Sequence, residues 1–149
     1  MGSFDFWQRW LVTTCFLFAG VGVVVATLNT LFVFDAWNAG IDAVFGNDGP
    51  VGPEATRVKT FLLGPLGATI LGSYILCGFV AAGPFKRRES WAWWAITLSL
   101  LAWFALDSAV SIAHGAWFNV VQINCLTLIG QGLPLAMTWR AFTAGNSNG

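Results

Sequence analysis

The chain has few charged residues for its length. Seven basic and seven acidic side chains make up 9% of its 149 residues, whereas soluble domains are about 25% charged. Hydrophobic residues make up 56% of the chain, and the mean hydropathy is +0.69. This composition excludes an ordinary soluble domain and predicts an all-α integral membrane protein whose first partner is the lipid bilayer.

Nucleic-acid-binding patches, histidine clusters and cysteine motifs are also missing. The formal net charge is zero, and without an extended basic face we expect no nucleic-acid partner. The single histidine, His114, and the cysteines Cys15, Cys77 and Cys125, which lie in three separate apolar runs, have no metal-ligand spacing. We therefore expect no metal and no cofactor, and we interpret the cysteines as apolar packing residues.

Four apolar runs are each long enough to cross a bilayer. A helix needs about 20 mostly apolar residues to cross a hydrocarbon core of about 30 Å. The predicted spans cover residues 10–34, 58–82, 91–113 and 119–139. We expect residues 1–142 to form one four-helix transmembrane domain and residues 143–149 to form a disordered tail.

Small residues recur at four-residue spacing in the first two spans. The two sets are Gly22, Ala26 and Thr30 in the first span, and Gly64, Ala68 and Gly72 in the second. Faces of this kind let two helix backbones approach closely in a membrane. The pattern predicts that these two helices form the closest pair.

The fourth span is interrupted near its middle. Gln131 lies there between Gly130 and Gly132, and Pro134 follows. Because proline removes a backbone hydrogen bond within a helix, the segment predicts either a simple kink or the lining of a cavity or gate.

The first loop contains a short amphipathic segment. Its apolar residues recur at helical spacing: Trp37, Ile41, Val44 and Phe45. We expect a short interfacial helix with Asp35 as its N-cap and Gly46 at its end.

The loop charges predict the orientation of the helices. The segment KRRE at residues 86–89 is the densest basic cluster, and basic loops stay on the cytoplasmic side. We therefore expect a multi-pass protein of the cell membrane with residues 83–90 and both termini in the cytoplasm, and with residues 35–57 outside.

One carboxylate interrupts the third span. Asp107 lies inside this run, and a carboxylate at the centre of a lipid-crossing helix costs about 2.5–3.5 kcal/mol on insertion scales. It therefore needs a partner, and Arg57 and Lys59 near the start of the second helix are candidates for an ion pair. The simplest interpretation is a structural clamp between these groups.

A ligand pocket is the alternative interpretation of the same carboxylate. Ser111 and His114 share its helix face, Trp103 continues that face, and counting inward from the outer helix ends places further polar groups at its level. The predicted ligand pocket comprises Asn29, Thr60, Trp103, Asp107, Ser111, His114 and Asn124.

Three functions are consistent with these patterns. The first is a non-catalytic accessory subunit or binding protein for a lipophilic or amphiphilic small molecule, with its pocket around Asp107. The second is a membrane enzyme for a lipid-soluble substrate, with Asp107 as acid or base and His114 as its helper. The third is a channel or transporter protomer in a homo-oligomer, with Asp107 and Gln131 along the path. A membrane-protein partner fits the first function.

Overall fold

A computed structural model describes residues 3–46 and 49–143, and every regular element in these ranges is helical. The helices are α1 (Ser3–Thr27), α2 (Asp35–Phe45), α3 (Pro53–Ala82), α4 (Ser90–Ala113), α5 (Trp117–Thr138) and α6 (Arg140–Thr143). Four of them, α1, α3, α4 and α5, are long and apolar enough to cross a membrane. The predicted all-helical class and the four apolar helices are confirmed.

The long helices pack in antiparallel pairs between two ends of the molecule. We call the end near α2 the α2 end, and the end near residues 86–89 the basic-loop end. Helix α3 packs along α1, and α5 packs against both α1 and α4. The α2 end therefore contains the C-terminal turns of α1 and α4 and the N-terminal turns of α3 and α5.

Helix α1 begins before the predicted span of residues 10–34. Its first turns are held at the basic-loop end, where Phe4 stacks on Phe85 with ring centroids 6.0 Å apart. One turn later, Gln8 Nε2 donates to the Ala81 carbonyl at 3.1 Å. The segment before residue 10 is therefore helical from Ser3 onward.

The same helix also ends before the predicted boundary. After Thr27 the chain turns and forms a short 3₁₀ segment, Phe32–Phe34, before α2. The Asn29 side-chain amide donates to the Val25 carbonyl at 3.2 Å. This side chain satisfies a backbone acceptor of the last turn, which is how asparagine competes with continued helix.

Helices α1 and α3 are the closest pair, as predicted. A Cβ on Gly22 would lie 2.7 Å from the Gly67 carbonyl oxygen, and a Cβ on Gly67 would lie 2.5 Å from the Ala26 nitrogen. The packed face of α3 is not the predicted one, because a Cβ on Gly64 or Gly72 would meet open space. Small residues line two faces of α3, and their spacing alone does not select between them.

Helix α5 contains two π-helical segments, Val120–Asn124 and Leu128–Gly132. Pro134 explains the second, because it has no N–H for the Gly130 carbonyl and its ring crowds that oxygen. The Trp10 indole Nε1–H donates to the Gly130 oxygen instead, at 2.9 Å. The predicted interruption of the fourth span is thus a widened π segment, a feature common at functional sites.

The hydrophobic core is concentrated at the basic-loop end. Phe85 is fully buried, and its ring centroid lies 4.7 Å from that of Phe142 in α6. Thr143, placed in the predicted tail, is the last residue of α6. Residues 144–149 of that tail lie outside the described residues.

Candidate functional site

The α2 end contains a hydrogen-bonded cluster centred on one side-chain amide. Asn119 Nδ2 donates to Asp107 Oδ2 and to Ser111 Oγ, each at 2.9 Å. Asn119 Oδ1 accepts from the Trp37 indole Nε1–H at 3.2 Å. We call Trp37, Asp107, Ser111 and Asn119 the amide cluster. It joins α2, α4 and α5.

Two members of the amide cluster, Asn119 and Trp37, are absent from the predicted pocket. The signal that indicates Asn119 is the shortness of the connection between α4 and α5, which comprises residues 114–116. A connection of three residues returns the first turn of α5 beside the last turns of α4. No comparable signal points to Trp37, because its partner lies 82 residues away along the chain.

The predicted ion pair of Asp107 with Lys59 or Arg57 is not formed. Lys59 Nζ donates to Asn38 Oδ1 of α2 at 2.7 Å, and Arg57 is exposed. Among the described residues, no basic side chain lies within 4.0 Å of the Asp107 carboxylate. The half-buried carboxylate is instead stabilised by the Asn119 amide dipole.

Asn124, another predicted pocket residue, ties α5 to α4 next to the amide cluster. Its Nδ2 donates to Ser108 Oγ at 2.9 Å. Asn124 is fully buried, and its Oδ1 has no hydrogen-bond partner in the described part of the chain. Asn124 thus forms a second polar contact between the two helices, separate from Asp107.

Three further predicted pocket residues lie outside the cluster. Thr60 is exposed, and Trp103 is 37% exposed. His114 is exposed, and its Nδ1 lies 2.9 Å from the Val110 carbonyl, where it caps the end of α4. Within residues 3–46 and 49–143, no hydrogen bond joins His114 to Asp107, so the predicted acid–base pair is not assembled.

Asn29 completes the predicted set. It is 6% exposed, and its amide bonds to its own helix rather than to the amide cluster. Its Oδ1 is buried without a partner among the described residues. The polar groups predicted at one level therefore separate into Asp107 with Ser111, Asn124 with Ser108, and Asn29 alone.

A groove lies between α4 and α5 in the half of the molecule nearer the basic-loop end. We call it the α4–α5 groove, and its volume is about 740 Å³. Its lining residues are Trp93, Thr97, Leu100, Leu101, Leu128, Ile129, Gly132, Leu133, Leu135, Ala136 and Trp139. The groove opens sideways, and its only hydroxyl belongs to Thr97. Neither this groove nor the next includes Asp107.

The α4–α5 groove depends on the irregular part of α5. Gly132, at the end of the second π segment, contributes no side chain to the wall. Trp93 donates its indole N–H to the Leu135 carbonyl at 3.0 Å, which fixes one wall. The Thr97 Oγ1 atom is buried without a hydrogen-bond partner among the described residues.

A second groove, of about 560 Å³, lies between α2 and α3. Its lining includes Trp37, Ile41, Leu62 and Leu66, with Lys59 at its edge. Lys59 donates to Asn38 and so attaches α2 to α3. This groove lies at the junction of two tethered elements.

Two of the cysteines that we interpreted as apolar packing residues are in contact with each other. Cys15 Sγ of α1 lies 3.2 Å from Cys77 Sγ of α3, and both thiols are free. The Gln131 Nε2 amide of α5 lies 3.7 Å from Cys15 Sγ. The signal that points to this contact is the location of Cys15 and Cys77 on the two helices predicted to pack most closely.

The fold defines the class: an all-helical protein with four helices long and apolar enough to cross a membrane. No protein-family model, curated protein or solved structure matches the chain. A proposal of function therefore depends on the geometry of the chain itself.

Proposed function

We propose that this chain is a non-catalytic integral membrane protein that binds an anionic amphiphile in the α4–α5 groove. The observation that carries the proposal is a sideways-opening apolar groove of about 740 Å³ that ends at Trp139, next to the exposed Arg140. Small-molecule sites have volumes of about 300–1,000 Å³ and mostly apolar walls with a few polar groups.

The direction of the groove supports an amphiphile with an anionic head. Trp93 and Trp139 line its part nearest the basic-loop end, and tryptophan prefers the level of lipid headgroups. Arg140 follows Trp139 directly and is exposed. An apolar tail among Leu100, Leu128 and neighbouring side chains would leave a carboxylate or phosphate near this guanidinium.

The predicted orientation of the four helices agrees with this assignment. With residues 83–90 and both termini in the cytoplasm, the groove opens in the cytoplasmic half of the bilayer, where anionic lipids are abundant. Within this proposal, the amide cluster lies near the outside and acts as a structural tie rather than as the ligand pocket.

The chemistry of the amide cluster favours that structural role. Asp107 and Ser111 already accept hydrogen bonds from the two amide hydrogens of Asn119. No specific observation favours an enzyme with Asp107 and His114, or a path through Asp107 and Gln131. These two alternatives therefore stay predictions from the sequence.

Photo-crosslinking tests the proposed binding. The purified chain in lipid nanodiscs is incubated with a diazirine-bearing palmitic acid, irradiated and mapped by peptide mass spectrometry. We expect labels concentrated on groove residues of α4 and α5 and displaced by unlabelled palmitate. Gly132→Leu should reduce the labelling at least fivefold by filling the groove.

Two matched controls separate binding from general lipid contact. Gly72→Leu adds the same side chain where a Cβ meets open space, and it should leave the labelling unchanged. Arg140→Gln should weaken labelling by the acid but not by its methyl ester, whereas Arg57→Gln should affect neither. Uniform labelling of all exposed helix faces, or equal effects of the two leucine variants, would contradict the proposal.

A further inference from the structure

The thiols of Cys15 and Cys77 form the one side-chain contact between two sulfur atoms in the described chain. Cys15 donates its S–H to Cys77 Sγ at 3.2 Å, while Gln131 Nε2 donates to Cys15 Sγ at 3.7 Å. The three residues come from α1, α3 and α5. A donor chain thus runs from an amide through one thiol to the second.

We propose that Cys15 and Cys77 are an intramembrane dithiol that a lipid-soluble quinone oxidises to a disulfide. Neither the α4–α5 groove nor the amide cluster contains these residues, so this inference is independent of the proposed function. The sulfur atoms already touch, and the backbones that carry them belong to the most closely packed helix pair.

The location of the dithiol selects the class of oxidant. Cys15 is the central residue of the 25-residue α1, about 18 Å from either end at 1.5 Å per residue. Cys15 is fully buried, whereas Cys77, which packs against the hydrophobic core, is only partly buried. Charged oxidants such as glutathione disulfide stay in water, so the electron acceptor must arrive through the lipid, and quinones are apolar two-electron acceptors.

The reaction balances without leaving a charge inside the protein. Both S–H bonds break and one S–S bond forms, and the two electrons and two protons convert the quinone to its hydroquinone. Gln131 is a positioning residue, because its N–H stabilises negative charge on Cys15 Sγ as that proton leaves.

The product would fasten α1 to α3 covalently. Gly22 and Gly67 already bring these backbones together, and the bond would lie about two turns away, toward the basic-loop end. Oxidation would therefore add a crosslink between helices that are already in place and would need no rearrangement of the fold.

Thiol counting after quinone treatment tests the proposal. The full chain is reduced, reconstituted in nanodiscs, treated with duroquinone, quenched in acid, unfolded and alkylated with N-ethylmaleimide. Duroquinone is fully substituted and does not add to thiols readily. We expect alkylated cysteines to fall from three to one, with Cys125 retaining the label, and dithiothreitol to restore three.

Variants define which thiols react. In the Cys125→Ser variant, quinone treatment should lower the number of alkylated cysteines from two to none. In the Cys77→Ser variant, that number should stay at two. Gln131→Leu should slow the oxidation several-fold without changing its end point. Three labels after quinone treatment, loss of the Cys125 label, or equally fast oxidation by glutathione disulfide would overturn the proposal.

Discussion

The side chain of Asn119 uses both amide hydrogens and its oxygen in the amide cluster. Three helices therefore meet at one residue near the start of α5. Double-mutant cycles of polar contacts within membranes average about 0.6 kcal/mol and reach about 1.7 kcal/mol. The loss of this one side chain removes three such contacts, among them the one hydrogen bond that the Asp107 carboxylate accepts from a side chain in the described part of the chain.

We expect Asn119→Ala to lower the free energy of unfolding by about 1–3 kcal/mol, the sum of its lost contacts. Reversible unfolding in mixed micelles of mild detergent and dodecyl sulfate measures this change. Gln122→Ala is the matched control, because Gln122 lies one turn further along α5 and has no hydrogen bond among the described residues. Equal destabilisation by both variants would contradict the role of the amide.

Asp107 acts here as a hydrogen-bond acceptor rather than as half of an ion pair. The oxygen of an asparagine can accept from Asn119, so we expect Asp107→Asn to change stability by less than about 0.5 kcal/mol. Asp107→Leu removes the acceptor and should cost about 1–3 kcal/mol. The same unfolding assay compares the two, and an Asn variant as unstable as the Leu variant would show that the negative charge itself is required.

The candidate site could be predicted only in part, for a geometric reason. Counting residues gives the depth of a side chain along its helix, and it grouped Asp107 with Ser111, which both accept from Asn119 in the structure. Depth does not give the rotation of a helix about its own axis. The sequence therefore could not show that the side chains of Thr60 and Trp103 are exposed.

At the scale of the helices, stability depends on how closely their backbones pack. The backbones of α1 and α3 meet where Gly22 and Gly67 lie, and their approach leaves no room for a Cβ. Short backbone distances of this kind allow extensive van der Waals contact, which is the main attraction between helices in lipid. The stability of the α1–α3 pair should therefore depend on single methyl groups.

We expect Gly67→Ala to lower the free energy of unfolding by about 1–3 kcal/mol, since the added methyl overpacks the contact. Gly64→Ala lies one turn away on the open face, and it should be neutral or slightly stabilising. Dodecyl sulfate titration of the two variants side by side is the measurement. Similar losses would show that the packed face of α3 is wrongly assigned.

The π segment of α5 offers a second test at this scale. Trp10→Phe leaves the Gly130 carbonyl without its indole donor and should cost about 0.6–1.7 kcal/mol. Pro134→Ala restores a backbone N–H for the same oxygen, so the cost of Trp10→Phe should be smaller in that background. A double-mutant cycle measures the coupling, and additive effects would exclude the shared acceptor.

The helical elements follow from the sequence more closely than their ends do. An apolar run of more than 20 residues predicts a crossing helix whatever its neighbours are. The boundaries of α1 depend on contacts that no local pattern contains, such as the stacking of Phe4 on Phe85. The π segment was detectable as an interruption at Pro134, but its indole donor came from another helix.

At the scale of the whole molecule, the orientation in the membrane remains a prediction from loop charges. Single cysteines at residues 48 and 87 in a cysteine-free background report it directly. An impermeant maleimide applied to intact cells should label only the residue 48 variant, and both after permeabilisation. Labelling of the residue 87 variant from outside would reverse the orientation and move the α4–α5 groove to the opposite leaflet.

The contacts of α2 determine when this helix can dock during folding. It is attached to α3 through Asn38 and Lys59, and to α5 through Trp37 and Asn119. The latter partner is synthesised 82 residues after Trp37. During biosynthesis α2 can therefore attach to α3 first, but its contact with Asn119 has to wait until the start of α5 has been synthesised. Its final docking thus marks completion of the fold.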